Sequence, residues 1–329
     1  MTGVASPAAP SRMVLAERVG RYGTVVALAG LVLVFSVLRP AAFVQFATFV
    51  NILQQSAVLT VLAVGLTICM VMLEFDLSIG NMASLGGVLA AGFMAFAGFP
   101  WPLAIVLALS AGALVGLVNG LVVTQLRVSS FIATLAMGTI VVGVNFWYNG
   151  GVTISTGIPD GFIQLGRLTF VGLPLLVWVA VVVCVVAWML LNQTPVGRNM
   201  YAIGGNAEAA RLAGIGVTRA RLLAFIFSGT CAALGGVMLS AQFGLGFPNA
   251  GDALLLQAFT ANFLGAVTLR DGEFHVLGTV VGVLLLSVIF TGLTILGVPL
   301  YVQNWTQGGL LIVAVALSGI VRRFLGNTE

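Results

Sequence analysis

The 329-residue sequence contains no lysine, a single histidine and only three cysteines. Charged residues make up 7% of the chain, against about 25% in an ordinary soluble domain. Each scarcity excludes something. A Walker A phosphate loop needs a lysine that reaches the nucleotide phosphates, and a Schiff base needs one too. ATP-driven work therefore requires a separate subunit. A lone His275 and the dispersed Cys69, Cys184 and Cys231 offer no metal-ligand spacing and no Ser-His-Asp set. The cysteines sit inside apolar runs and read as packing thiols. What fills the chain is apolar: 60% hydrophobic residues, with 42 glycines besides. This excludes a soluble enzyme, a disordered chain and a disulfide-stapled module. It fits an all-α polytopic membrane protein.

Charges are sparse enough to punctuate the spans. With breaks at Gly98–Pro102 and Gly297–Pro299, ten transmembrane helices are expected near 22–38, 51–72, 79–97, 101–124, 130–149, 170–191, 221–243, 253–269, 275–296 and 300–320. With the N-terminus inside, eleven arginines face the cytoplasm and two, Arg39 and Arg167, face out. That bias supports the orientation and an even number of spans, with both termini cytoplasmic. Residues 1–21 then form a cytoplasmic tail, 22–320 the membrane domain and 321–329 a second tail. The first helix serves as an uncleaved insertion signal. The outward loop 150–169 is expected over the external mouth. Two Gly-x-x-x-Gly steps, Gly112–Gly116 and Gly278–Gly282, read either as close helix packing or as a trace of two related halves.

The interiors of the spans are almost bare of ionisable groups, which weakens enzyme and proton-carrier readings. Two segments stand out. In Leu73–Asn81, Glu74 and Asp76 adjoin Ser78 between apolar spans. Asp76 or Ser78 could cap the next helix; alternatively the segment is a helix break beside a translocation path. In the inward loop 192–220, Thr194–Arg198 reads as a turn. Asn206 then caps an alanine-rich helix that Gly214 stops. Glu208, Arg211 and Leu212 share one face of it, and Ala209, Ala210 and Ala213 another. Such a helix lies on the membrane surface or enters a soluble partner.

At these segments the sequence resembles the permease subunits of bacterial ABC importers of the ribose/xylose/arabinose type, relatives of the branched-chain amino acid permeases. The matching stretches are Glu74–Asn81 (EFDLSIGN), Gly116–Thr134 (GLVNGLVVTQLRVSSFIAT) and Thr194–Val217 (TPVGRNMYAIGGNAEAARLAGIGV). The resemblance implies a type II ABC importer-like fold of about ten helices in two related halves, in the bacterial inner membrane. It implies import of a monosaccharide or similar small polar solute by alternating access. The partners it implies are an ABC ATPase subunit carrying ATP and Mg, an external solute-binding protein and a second permease copy, within membrane lipid and without nucleic acid. No cofactor and no catalytic residue are implied on this chain. The helix with Gly205, Asn206, Glu208, Ala209, Arg211, Leu212 and Gly214 would be the coupling helix docked on the ATPase. Asp76, Ser78, Asn119, Ser130, Thr134 and Asn145 interrupt apolar helices and are candidates for the translocation path, each equally a candidate for interhelical hydrogen bonding. The sequence departs from the family pattern at Glu74, an added acid, and at Thr291, where an asparagine is usual. A stand-alone secondary transporter or channel is the competing class.

Overall fold

The computed structural model describes residues 11–268 and 272–326, with side chains from 23 to 319. Arg270, Asp271 and the outermost tail residues of the sequence reading lie outside the described residues. The elements run α1 Ser11–Leu38, α2 Pro40–Phe43, α3 Phe46–Met70, α4 Ile79–Ala95, α5 Trp101–Gln125, α6 Ser130–Asn149 and α7 Asp160–Arg167. A short hairpin follows, β1 Thr169–Phe170 and β2 Leu173–Pro174. Then come α8 Leu175–Gln193, α9 Pro195–Gly205, α10 Ala207–Leu212, α11 Val217–Phe243, α12 Asp252–Val267, α13 Val276–Ile295 and α14 Leu300–Gly326.

Among the described residues, seven helices are long and apolar enough to span a membrane: α3, α5, α6, α8, α11, α13 and α14. Three shorter apolar stretches, 23–38 within α1 together with α4 and α12, fall at the other expected spans. Three expectations need correction. Residues 150–169 are not plain loop: α7 lies there, with Phe162 fully buried, and Ile154 bridges to Gly246. The helix expected from 170 starts at Leu175, because the hairpin intervenes. The turn expected at Thr194 is the start of α9. Thr194 Oγ1 accepts from Gly197 N, and Pro195 at the first helical turn has no N–H to lose.

α11 is the axis of the fold, flanked by α3, α4, α5 and α7. Glycine permits the close crossings. A Cβ on Gly112 or Gly116 would overlap the carbonyl oxygens of Gly229 and Phe225, and one on Gly236 would overlap that of Ala83. Gly278 and Gly282 meet Gly265 and Ala261 of α12 in the same way. Both Gly-x-x-x-Gly steps are therefore backbone-to-backbone crossings, the means by which membrane helices associate where apolar burial offers little. α11 ends at Gly244, whose φ of 68° closes the helix in the left-handed region. Burial separates the helices. In α3, 83% of the most apolar window is buried, and in α14 only 11%, so α14 lies at the rim.

Candidate functional site

The first unusual feature is a helix break. Regular structure stops at Met70 and resumes at Ile79, and Leu73 adopts φ 58°, a costly value for a non-glycine residue. Backbone freed inside a membrane domain needs partners, and α6 supplies them. Phe75 N donates to Ser130 Oγ (3.1 Å) and Leu77 N to Thr134 Oγ1 (2.9 Å). Thr134 Oγ1 itself lies 3.1 Å from Phe75 O.

Asp76 sits fully buried in the break. Its Oδ1 accepts from Ser78 N (3.0 Å) and Ser78 Oγ (2.6 Å), and its Oδ2 accepts from Ser228 Oγ of α11 (2.8 Å). Asn119 of α5 donates to Ser78 Oγ at 3.0 Å. The carboxylate thus ties α5, α11 and the break together. Ser78 stands at the N-cap of α4 but makes no side-chain cap bond, since its hydroxyl proton goes to Asp76. Glu74, the added acid, meets Arg221 Nε at 2.7 Å.

The second feature is α10. Asn206 Oδ1 accepts from the N–H groups of Glu208 and Ala209, both at 3.0 Å. Gly214 follows with φ 82°. Glu208 and Arg211 form an exposed ion pair at 3.3 Å, and Leu212 is 83% exposed. Ala210 is the inward residue; Ala209 and Ala213, which share its face in the sequence pattern, are exposed. Gly205 ends α9, with open space around its Cα. The helix is therefore a capped knob with an outward Glu208–Arg211–Leu212 face.

The structure brings break and knob together. A Cβ on Gly204 of α9 would overlap the carbonyl oxygen of Val71. A cavity of about 580 Å³ opens between them, lined by Leu73, Glu74, Arg127, Ser130, Arg211 and Arg221 among others. Ser130 alone of the six path candidates lines it. Asp76, Ser78, Asn119, Thr134 and Asn145 are buried and hydrogen-bonded across elements, Asn145 to Pro248 O at 2.8 Å. His275 takes the N-cap position of α13 and is buried. Sequence reasoning missed Ser228, Asp76's partner, whose only signal is one hydroxyl in an apolar helix. It also missed a deeper cluster, Thr67 to Asn262 Oδ1 (2.7 Å) and Thr279 to the same oxygen (3.0 Å), which joins α3, α12 and α13.

A helical, multi-pass membrane protein with a side-chain-held break between two apolar helices, a buried polar core and an exposed capped knob is the class these features define. The chain belongs to the family described as branched-chain amino acid transport system / permease component, whose model matches residues 48–315. It is 36% identical over 298 residues to the ribose import permease protein of Bacillus subtilis, covering 90% of this chain and 92% of that one. It is 34% identical over 306 residues to the galactose/methyl galactoside import permease protein of Salmonella typhimurium, covering 86% and 90%. It is 31% identical over 303 residues to the D-allose transport system permease protein of Escherichia coli, covering 92% and 93%. No solved structure matches it.

Proposed function

We propose that this chain is the membrane-spanning permease subunit of an ABC importer that moves a monosaccharide into the cytoplasm. The observation that carries the reading is the similarity to ribose, galactose and allose permeases over about nine-tenths of both chains. The geometry supports it. No lysine is present to build a Walker A loop, so hydrolysis belongs to a partner ATPase, where ATP and Mg would bind. The α10 knob has the capped, outward-facing form of a docking element for that ATPase. An external solute-binding protein would deliver the sugar, and a second permease copy would complete the pore.

In this reading the protein has ten spans in two related halves, of the type II class, in the inner membrane with both termini cytoplasmic. The eleven-to-two arginine bias supports that orientation. Closure of the ATPase pair would push on α10. The break beside it would be the element that yields, because Phe75 N and Leu77 N are held by side chains from α6 rather than by helix bonds.

The test is reconstitution in sealed vesicles with a partner ABC ATPase and a solute-binding protein, using radiolabelled ribose, galactose and allose. Uptake of one sugar that needs ATP and all three proteins is expected. Robust uptake by this chain alone, or uptake driven by a proton or sodium gradient without ATP, would sink the proposal.

A further inference from the structure

At the end of the fold remote from α10 lies a second polar region. Two adjoining cavities, of about 200 and 300 Å³, share Gln55, Gln257 and Phe290 and so form one cleft. Its distance from the knob follows from the chain. α3 reaches α9, the helix that leads into the knob, at its C-terminal end, where Val71 meets Gly204. Gln55 lies 16 residues before Val71, roughly 24 Å along that helix.

The lining has an unusual chemistry. Gln55, Gln257, Gln303, Asn304 and Gln307 bring amides from α3, α12 and α14, and Thr291 brings a hydroxyl from α13. Among the described residues, none that lines either cavity is charged. Gln303, Asn304 and Gln307 fall on one face of α14, at i, i+1 and i+4. Among the described residues, Gln55, Gln257, Asn304 and Gln307 make no side-chain hydrogen bond to the protein, and Thr291 Oγ1 is buried without a partner. Gln303 is the exception, donating to Val298 O at 3.0 Å. Amides placed within membrane spans and turned away from protein partners are costly against lipid. They are suited to a wet path.

We propose that this cleft is the outer segment of the solute path and binds a neutral, polyhydroxylated ring. Each amide offers two N–H donors and a carbonyl acceptor in one plane, which matches adjacent hydroxyls that both donate and accept. Phe290 supplies an apolar face for the C–H side of the ring. A phosphorylated sugar or a zwitterion would enter with charges that nothing in the cleft compensates, so both are rejected. The inference rests on the transport reading above and adds to it the place and the chemistry of passage.

The experiment uses the full reconstituted complex. In Gln257→Leu/Gln307→Leu, uptake of radiolabelled aldopentoses and aldohexoses falls roughly tenfold, for two hydrogen bonds forfeited. ATP hydrolysis stimulated by the binding protein stays within about twofold of wild type, because the docking knob is untouched. Unchanged uptake overturns the inference and leaves the transport reading standing. Dissociation of the complex on gel filtration assigns the face to a protein contact and also overturns it. A wild-type complex that imports nothing removes the transport reading, and the inference falls with it. Gln307→Cys gives a readout free of turnover. A membrane-impermeant thiosulfonate added outside labels it well above the wild-type background, and labelling no higher than that background overturns the assignment.

Discussion

Arg221 Nε stands 2.7 Å from Glu74 Oε1, so the start of α11 is pinned to the break that follows α3. The side chains are 24% and 10% exposed, which makes this a largely desolvated pair. It also lines the cavity under the knob. Removing one partner leaves a charge stranded in a poor solvent, and this costs more than removing both.

Glu74→Gln and Arg221→Gln are each expected to lower stability by about 1–3 kcal/mol, the partial exposure keeping them at the low end for buried pairs. The double variant should lose less than the sum of the two. Thermal unfolding in detergent measures the difference, and additive losses would show that the pair does not interact.

Asp76→Ala removes the acceptor for three donors, Ser78 N, Ser78 Oγ and Ser228 Oγ. A loss of about 2–4 kcal/mol is expected, since the donors are left unsatisfied in the interior. Asp76→Asn keeps one oxygen and should lose clearly less. Equal melting temperatures for the two variants would argue that the carboxylate's bonds contribute little.

On the knob, Glu208→Arg and Arg211→Glu should cost the fold less than about 0.5 kcal/mol, because the pair they break is exposed. Co-purification with the proposed partner ATPase should nevertheless fall by about tenfold, as like charges are brought together across the docking surface. The swapped double variant restores the ion pair within α10 but not the docking. Full recovery of docking in that variant would mean that the pair matters only to the helix.

Gly214→Val places a branched side chain at φ 82° and should cost about 1–2 kcal/mol. Asn206→Ala removes the cap from two N–H groups and should cost about 1 kcal/mol. Both losses are local. Hydrogen exchange over residues 206–216 should speed up while the global melting point moves little.

The knob was legible because its signals are local: Asn206, an alanine run and Gly214 each act within one turn of chain. The break at Glu74–Ser78 was legible for the same reason, as acids in an apolar sequence. Their juxtaposition was not, since it depends on Gly204 meeting Val71, a contact that no periodicity encodes. Ser228 and the Thr67–Asn262–Thr279 cluster escaped because a single polar residue in an apolar helix carries no sign of what it faces. The α7 helix escaped because Gly, Ser, Thr and Pro around it read as loop. The start of α9 escaped because Thr194-Pro195 is both a turn signal and a helix start.

The glycine crossings of α11 have a mechanical consequence. Where backbone lies on backbone there is no side chain to swing aside, so any tilt of α11 would carry α4 and α5 with it as a single body. That body begins four residues after α10 and carries its last turn to the mouth of the amide cleft, where Gln242 stands. Its 27 residues make a rod of about 40 Å. A tilt of about 5° at the knob would swing the far end by roughly 3.5 Å, more than half the radius of a helix with its side chains. A lever of this kind lets a small thrust from below be felt as a change of bore above, with no signal passed from one side chain to the next.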